Sequence, residues 1–134
     1  MPRKARKEAA RILVISDNAV FLERLKNRLE TQRGQCMVVE TAAEARRVAP
    51  KLRPHLILVE VNSPLLRSIP IIKELRSAAE TRSIPLVGLC GHLEPDRGLA
   101  ALEAGCVGTA SHAESLSRLG HLIQEFTGNT RVRV

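Results

Sequence analysis

This chain lacks the sequence features that would place it in a membrane or in an export pathway. Its apolar runs are no longer than four to six residues, whereas a helix that crosses a bilayer needs about 20. The N-terminal segment has no apolar core of the kind that a signal peptide requires. We therefore predict a cytoplasmic protein.

Cysteines and nucleotide-binding motifs are also scarce. The three cysteines, Cys36, Cys90 and Cys106, are odd in number and have no CxxC spacing. This argues against a disulfide framework or a zinc site, and buried thiols are expected instead. The glycine clusters GLCGHLEPDRG and GCVG match neither of the phosphate-binding patterns GxxxxGK(S/T) and GxGxxG. Nucleotide binding is therefore not expected.

The net charge of +7 is concentrated at the two ends of the chain. Residues 1–11 contribute +4, and Arg131 and Arg133 add +2. Positions 12–130 contain 14 basic and 13 acidic residues. A basic stripe across a folded surface, the better sign of nucleic-acid binding, is missing. Nucleic-acid binding by the folded body is therefore not expected.

Five apolar segments alternate with five helical patterns along the chain. The predicted strands are 11–16, 36–40, 55–61, 84–91 and 106–110. The third strand, HLILVEV, shows no alternation of polar and apolar positions, which is typical of a strand buried on both faces of a parallel sheet. Predicted helix caps follow four of the strands: Asp17 or Asn18, Thr41, Ser68 and Ser111.

Apolar residues at helical spacing define the faces that should meet the sheet. These residues are Phe21, Leu22, Leu25 and Leu29, then Ile69, Ile72 and Leu75, then Leu99 and Leu102, and finally Leu116, Leu119, Ile123 and Phe126. The predicted helix ends are Gly34, Gly105 and Gly128. Strict alternation predicts a doubly wound, flavodoxin-like α/β fold with strand order 2-1-3-4-5 and ligands at the carboxyl ends of the strands. The predicted parts are a basic arm, a folded domain and a tail: 1–10, 11–127 and 128–134.

Four segments resemble those of the bacterial response-regulator receiver domain, over the chain from about Arg11 to Phe126. ILVISDN is similar to the first strand of that family with its acidic pair. PHLILVEVNSP is similar to the third strand, where an aspartate accepts a phosphoryl group. SIPLVGLCG is similar to the fourth strand with its hydroxyl residue, and ALEAGCVGTASH to the segment that normally carries a lysine. The resemblance implies a module of two-component signal transduction.

Most positions that carry the chemistry of that family are altered here. The acidic pair corresponds to Ser16 and Asp17, the phosphoacceptor to Glu60, the hydroxyl to Cys90 and the lysine to His112. The aromatic switch residue of the family corresponds to Thr109, in a chain with no tyrosine or tryptophan and two phenylalanines. The resemblance therefore implies an atypical member.

Each change is expected to weaken phosphoryl transfer, which depends on positioning and on charge neutralisation around Mg²⁺. Ser16 removes one carboxylate from the metal pocket, and the extra methylene of Glu60 displaces the nucleophile. A cysteine thiol is a poor hydrogen-bond donor, and a neutral His112 does not neutralise charge as a lysine does. Asp17 and Glu60 are the remaining candidates for weak Mg²⁺ binding. No obligatory cofactor is expected.

The sequence leaves three roles open for Glu60. It is a leftover polar residue at a solvated strand end, a fixed negative charge that imitates the phosphorylated state, or a working phosphoacceptor. His112 either forms a titratable pair with Glu60 or fills the space of the lysine. Cys90 is either a reactive thiol or, as its apolar strand favours, an inert one.

The leading hypothesis is a pseudo-receiver, a non-enzymatic module that binds another signalling protein without obligatory phosphorylation. The family uses the face of the fourth helix, fifth strand and fifth helix for partners or dimers, so a weak homodimer is possible through it. The alternatives are a functional phosphorelay receiver and nucleic-acid binding through the basic ends. The predicted exposed residues of the face are Glu94, Asp96, Arg97, Arg118, His121 and Glu125.

Overall fold

The structure, a computed structural model, describes residues 10–31, 35–91 and 94–127. Several predictions from the sequence lie outside the described residues: the arm up to residue 9, the tail 128–134, the helix ends at Gly34 and Gly128, and the side chain of Phe126. None of the described helices is long and apolar enough to cross a membrane.

The described residues form five strands and six helices in alternation. The strands are β1 (Arg11–Ile15), β2 (Gln35–Val39), β3 (Leu56–Glu60), β4 (Leu86–Leu89) and β5 (Gly108–Ala110). The helices are α1 (Ala19–Thr31), α2 (Ala42–Leu52), α3 (Ser68–Ser77), α4 (Pro95–Ala104), α5 (His112–Ser117) and α6 (Leu119–Thr127).

The five strands form one parallel sheet in the order β2-β1-β3-β4-β5. This confirms the predicted flavodoxin-like order 2-1-3-4-5. The registers pair Ile15 with Val59, Glu60 with Leu89, and Leu89 with Ala110. The carboxyl ends of four strands therefore meet at one edge of the sheet.

Alternating strand residues build a separate core on each face of the sheet. On one face, Leu13 and Ile57 pack in a cluster with residues of α2, α3 and α4. On the other, Val14 and Leu58 pack in a cluster with residues of α1 and α6. Full burial of a Leu or Ile side chain stabilises the fold by about 1.5–3 kcal/mol. The buried side chains of the two clusters hold helices against both faces of the sheet, as predicted.

The prediction that Leu99 and Leu102 face inward is wrong. They are 56% and 43% exposed, and α4 turns Gly98, Ala101 and Ala104 to the sheet instead. The reason is the close approach of α4 to β4. A Cβ placed on Gly88 of β4 would lie 3.3 Å from the Cβ of Ala101, so large side chains do not fit between the two elements.

Two other local predictions need correction. Ser68 does not cap α3, because it is the first helical residue and is buried. The N-cap is Arg67, at a φ of 52°, without a side-chain capping bond. The single predicted last helix is divided at Arg118, where φ is −121° and ψ is 30°. The capping box of Ser111 and Glu114 at its start is confirmed.

Candidate functional site

The register of the sheet brings the predicted site residues to one edge. Ser16 follows Ile15 of β1 and so lies beside Glu60, the last residue of β3. Cys90 follows β4, and His112 begins α5 two residues after β5 ends. Asp17 follows Ser16 in the same loop. All five side chains therefore occupy the carboxyl edge where ligands of this fold bind.

Glu60 lies at the centre of a buried hydrogen-bond network. The residue is 4% exposed. Its Oε1 accepts a hydrogen bond from Ser16 Oγ at 3.2 Å and lies 2.8 Å from Nε2 of His112. Ser16 is fully buried, and 26% of the His112 side chain is exposed. Glu60 therefore does not lie at a solvated strand end, and its burial is tolerated because the carboxylate has hydrogen-bond partners.

Neighbouring groups hold both donors in place. Ser16 Oγ accepts a hydrogen bond from the backbone N–H of Asn18 at 3.1 Å. The Asn18 Oδ1 accepts from the backbone N–H of Phe21 and so caps α1. The Phe21 ring meets the His112 ring edge to face, with centroids 4.8 Å apart. One network thus connects β1, α1, β3 and the first turn of α5.

Asp17 stands apart from this network. It is exposed, and its Oδ2 accepts a hydrogen bond from Ser63 Oγ at 2.7 Å. This bond joins the loop after β1 to the loop after β3. Of the two capping candidates after β1, Asn18 rather than Asp17 makes the side-chain bond to α1.

The two carboxylates predicted as weak Mg²⁺ ligands, Glu60 and Asp17, are each hydrogen-bonded within the chain. Mg²⁺ needs near-octahedral oxygen ligation and is usually held through carboxylates. No group of three or more His, Cys, Asp and Glu side chains that could hold a metal occurs in the described part of the chain. Glu60 Oε1 already faces Ser16 and His112, and Asp17 bonds to Ser63.

The thiols near the site are disfavoured as nucleophiles. Burial raises the pKa of Cys90, a hydrogen bond with Thr109 opposes that shift, and Glu60 adds to it. Burial raises the pKa of Cys106 to about 12. Both thiols are therefore protonated at neutral pH, which agrees with the inert interpretation of Cys90. Thr109, at the predicted aromatic-switch position, is exposed on β5.

Two contacts of the site were not expected from the sequence. Ser63 bonds to Asp17, and Phe21 packs on His112. Ser63 lies three residues after Glu60, in the loop that leaves β3. That position was the sequence signal that could have indicated a contact of Ser63 with the site. Phe21 carried no such signal, because its spacing with Leu25 and Leu29 is explained by the core alone.

Comparison with curated proteins finds response regulators. The chain is 30% identical over 95 residues to the transcriptional regulatory protein PrrA of Mycobacterium tuberculosis, covering 71% of this chain and 40% of PrrA. It therefore spans less than half the length of that relative. It is 21% identical over 118 residues to the polar-differentiation response regulator DivK of Brucella anthropi, covering 88% of this chain and 96% of DivK. No family model matches the chain.

Comparison with solved structures finds receiver domains. The receiver domain of the signal transduction histidine kinase from Syntrophus aciditrophicus matches with a TM-score of 0.78 and 25% identity, covering 90% of this chain and 91% of that one. The receiver domain of the sensor histidine kinase PA1611 from Pseudomonas aeruginosa matches with a TM-score of 0.80 and 24% identity, covering 90% and 99%. The PA1611 domain has a magnesium ion coordinated in its active-site cleft.

Proposed function

Because the chain belongs to the receiver-domain family of bacterial response regulators, we propose that it is a two-component signalling module that acts without phosphorylation. It carries its signal by binding another protein and needs no Mg²⁺ to do so. It has no enzymatic role of its own. The observation that supports this proposal best is the buried Glu60 carboxylate, which is already paired within the chain.

The geometry around Glu60 opposes its use as a nucleophile. An in-line attack on a phosphoryl donor requires access to a carboxylate oxygen. Only 5% of the Glu60 side chain is exposed. Its Oε1 is engaged by Ser16 and His112, and these bonds compete with attack by that oxygen. The working-acceptor hypothesis is therefore disfavoured.

The same contacts favour the fixed-charge interpretation of Glu60. In the family that this chain resembles, a phosphoryl group on the third strand is read by a hydroxyl and a lysine. Here Glu60 is held by Ser16, which stands at one position of the family's acidic pair, and by His112, which stands at the lysine position. We infer that this internal contact replaces the phosphoryl contact and holds α5 in one position.

The test is treatment with acetyl phosphate and Mg²⁺, read by intact mass, on four proteins. They are the wild type, Glu60→Asp, Glu60→Gln, and a variant that rebuilds the family's residues, Ser16→Asp/Glu60→Asp/Cys90→Thr/His112→Lys. The rebuilt variant shows that the assay detects a competent pocket on this scaffold. We expect no phosphoryl gain in the wild type, because the Glu60 carboxylate is buried and already hydrogen-bonded.

Each result has a distinct meaning. Labelling of the rebuilt variant alone supports the proposal and assigns the block to the altered residues. Labelling of Glu60→Asp but not of the wild type supports it too, and assigns the block to the extra methylene of Glu60. Labelling of the wild type that disappears in Glu60→Gln would overturn the proposal and make this chain a phosphorelay receiver with a glutamate acceptor.

A further inference from the structure

The positive charge of the folded body is concentrated in one stretch of the chain. Positions 12–130 contain 14 basic and 13 acidic residues, and so are nearly neutral as a whole. From 45 to 59, however, the chain has four basic residues and no acidic one. Positions 94–127 have the opposite balance, with five acidic and two basic residues. The stretch 45–59 covers most of α2 and the turn into β3, so the fold places this charge on one helix.

Three exposed cations of this stretch lie towards the C-terminal end of α2. Arg47 and Lys51 are four residues apart on the helix, so their side chains are neighbours on one face. Arg53, the C-cap residue of α2, is exposed as well. The fourth cation, Arg46, is paired with Glu74 of α3. We call Arg47, Lys51 and Arg53 the α2 basic cluster.

Stabilisation of α2 accounts for only part of this cluster. A cation in the last turn complements the helix dipole, which explains Lys51. Arg47 lies one turn earlier, where it is repelled by Lys51. Arg53 has a φ of 51°, a left-handed conformation that glycine and asparagine adopt more readily. The last carbonyls of α2 are already bonded, because Arg11 of β1 donates from Nε to Leu52 O and from Nη2 to Arg53 O.

The basic arm joins the folded body beside the α2 basic cluster. Arg11 follows the segment 1–10, which contains four basic residues and one acidic residue. The backbone N–H of Arg11 donates to Nδ1 of His55 at 2.9 Å, and its guanidinium reaches the end of α2. The arm and the cluster are therefore attached at the same place and can contact one extended polyanion.

The α2 basic cluster matches the phosphate backbone of duplex DNA in charge and in dimensions. Arg47 and Arg53 are six residues apart, which corresponds to about 9 Å along a helix. Over that length duplex DNA carries about five phosphate charges. Two of the three cations are arginines, whose planar guanidinium groups can bind phosphate through two parallel hydrogen bonds.

Two other anionic partners fit this surface less well. Proteins that bind single-stranded nucleic acid stack its bases on aromatic side chains. The chain has no tyrosine or tryptophan, and Phe21, one of its two phenylalanines, is buried. A helix that lies on a membrane surface inserts large apolar side chains. None of the exposed large apolar side chains of the described residues lies on α2.

We propose that the α2 basic cluster binds duplex DNA through its phosphates, without sequence preference. This surface goes beyond the proposed function and is independent of it. The C-terminal end of α2 precedes β3 and so lies at the amino edge of the sheet, whereas Glu60 ends β3 at the carboxyl edge. The phosphorylation state of the chain therefore does not decide the outcome of the DNA experiment.

The test is fluorescence anisotropy with two labelled duplexes of unrelated sequence and about 20 base pairs, or two helical turns. We expect equal affinities for the two duplexes and a linear fall of log affinity with log salt concentration, with a slope of about −0.9 per contacted phosphate. Arg47→Gln/Lys51→Gln/Arg53→Gln should lower the affinity at least about tenfold and reduce the slope by about 2.7.

Two further variants separate the cluster from net charge and from misfolding. Arg24→Gln/Lys26→Gln/Arg118→Gln removes the same charge from exposed residues. α1, which carries two of them, packs on the other face of the sheet from α2, so this control should keep the salt slope of the wild type. Arg47→Lys/Arg53→Lys retains the charge and should keep that slope too. Far-UV circular dichroism checks that each variant is folded.

Several results would overturn the proposal. Equal losses in the cluster variant and the control variant would mean that net charge alone determines binding. If Arg3→Gln/Lys4→Gln/Arg6→Gln/Lys7→Gln abolishes binding while the cluster variant binds as the wild type does, the contact belongs to the arm alone. Equal affinity for the single strand, for poly-glutamate or for phosphatidylglycerol vesicles would show that duplex DNA is not the specific occupant. Absence of binding at about 50 mM salt would refute the proposal outright.

Discussion

Replacing His112 by alanine measures the energetic role of the buried network. The substitution removes the ring that lies 2.8 Å from Glu60 Oε1 and packs edge to face on Phe21. Ser16 then becomes the remaining side-chain partner of Glu60 among the described contacts. Glu60 is 4% exposed with His112 in place, so water can reach the carboxylate only through the space that the ring leaves.

The expected loss of stability has two contributions. Removing one hydrogen-bond partner of a buried polar group costs about 1–3 kcal/mol, and an aromatic edge-to-face pair contributes about 0.5–1.5 kcal/mol. Together they predict that His112→Ala lowers the free energy of unfolding by about 1.5–4.5 kcal/mol. His121→Ala is the matched control: its side chain is 57% exposed and lies 3.5 Å from Glu125, and such surface pairs contribute about 0–1 kcal/mol.

A second variant tests whether the loss comes from the buried carboxylate. In Glu60→Leu/His112→Ala the carboxylate is removed along with its partner, and Ser16 Oγ keeps its bond from the N–H of Asn18. Replacing a buried polar pair by apolar groups is often neutral, whereas removing one partner is not. We therefore expect the double variant to be more stable than His112→Ala by at least about 1 kcal/mol.

Urea unfolding followed by far-UV circular dichroism is the suitable assay, since the chain has no tryptophan or tyrosine for fluorescence. A chain of this size usually unfolds in one step, so free energies can be compared. The reasoning is refuted if His112→Ala loses no more stability than His121→Ala. It is also refuted if the losses of Glu60→Leu and His112→Ala simply add in the double variant.

Three further outcomes follow from local geometry. Iodoacetamide with mass detection should leave Cys106 unmodified at pH 8, because its pKa is raised to about 12, while denatured protein is labelled at that thiol. As pH rises from about 9 towards 12, the unfolded state releases the Cys106 proton before the folded state does, so the urea midpoint of the wild type should fall. The midpoint of Cys106→Ala should fall less. Asn18→Ala should cost about 0.5–2 kcal/mol in urea unfolding through loss of the α1 cap, and an unchanged midpoint would contradict this. Gly105→Ala should lower the thermal midpoint, because φ is 136° and a Cβ there would meet the Arg76 side chain. A midpoint equal to wild type would refute that.

The strands and their order followed from the sequence because their signals are strong and mutually consistent. β3 is buried at every position, as its unbroken apolar run predicts, and strict alternation with helices leaves few parallel topologies. Helix faces were less predictable. Leu99 and Leu102 were placed inward because large apolar residues are usually buried, but the approach of α4 to β4 at Gly88 admits only small residues.

The site was predictable in its members but not in its contacts. Topology places the residues after parallel strands at one edge, so the proximity of Ser16, Glu60 and His112 could be expected. The direction of the Glu60 side chain, to solvent or inward, could not be predicted. It depends on partners from the loop after β1 and from α5, which only the folded chain brings together. The burial of Glu60 and its bond to Ser16 decide this point.

The internal pairing of Glu60 also limits how the chain can transmit a signal. A switch needs two conformational states. A ligand shifts the equilibrium between them only as far as its affinity differs between the two states. The phosphoryl group of a typical receiver supplies that difference at the carboxyl edge, but here Ser16 and His112 already satisfy the carboxylate. Oε1 of Glu60 is therefore engaged within the chain before any ligand reaches this edge. If the chain acts without phosphorylation, as we propose, its regulation acts through the presence or absence of a partner protein.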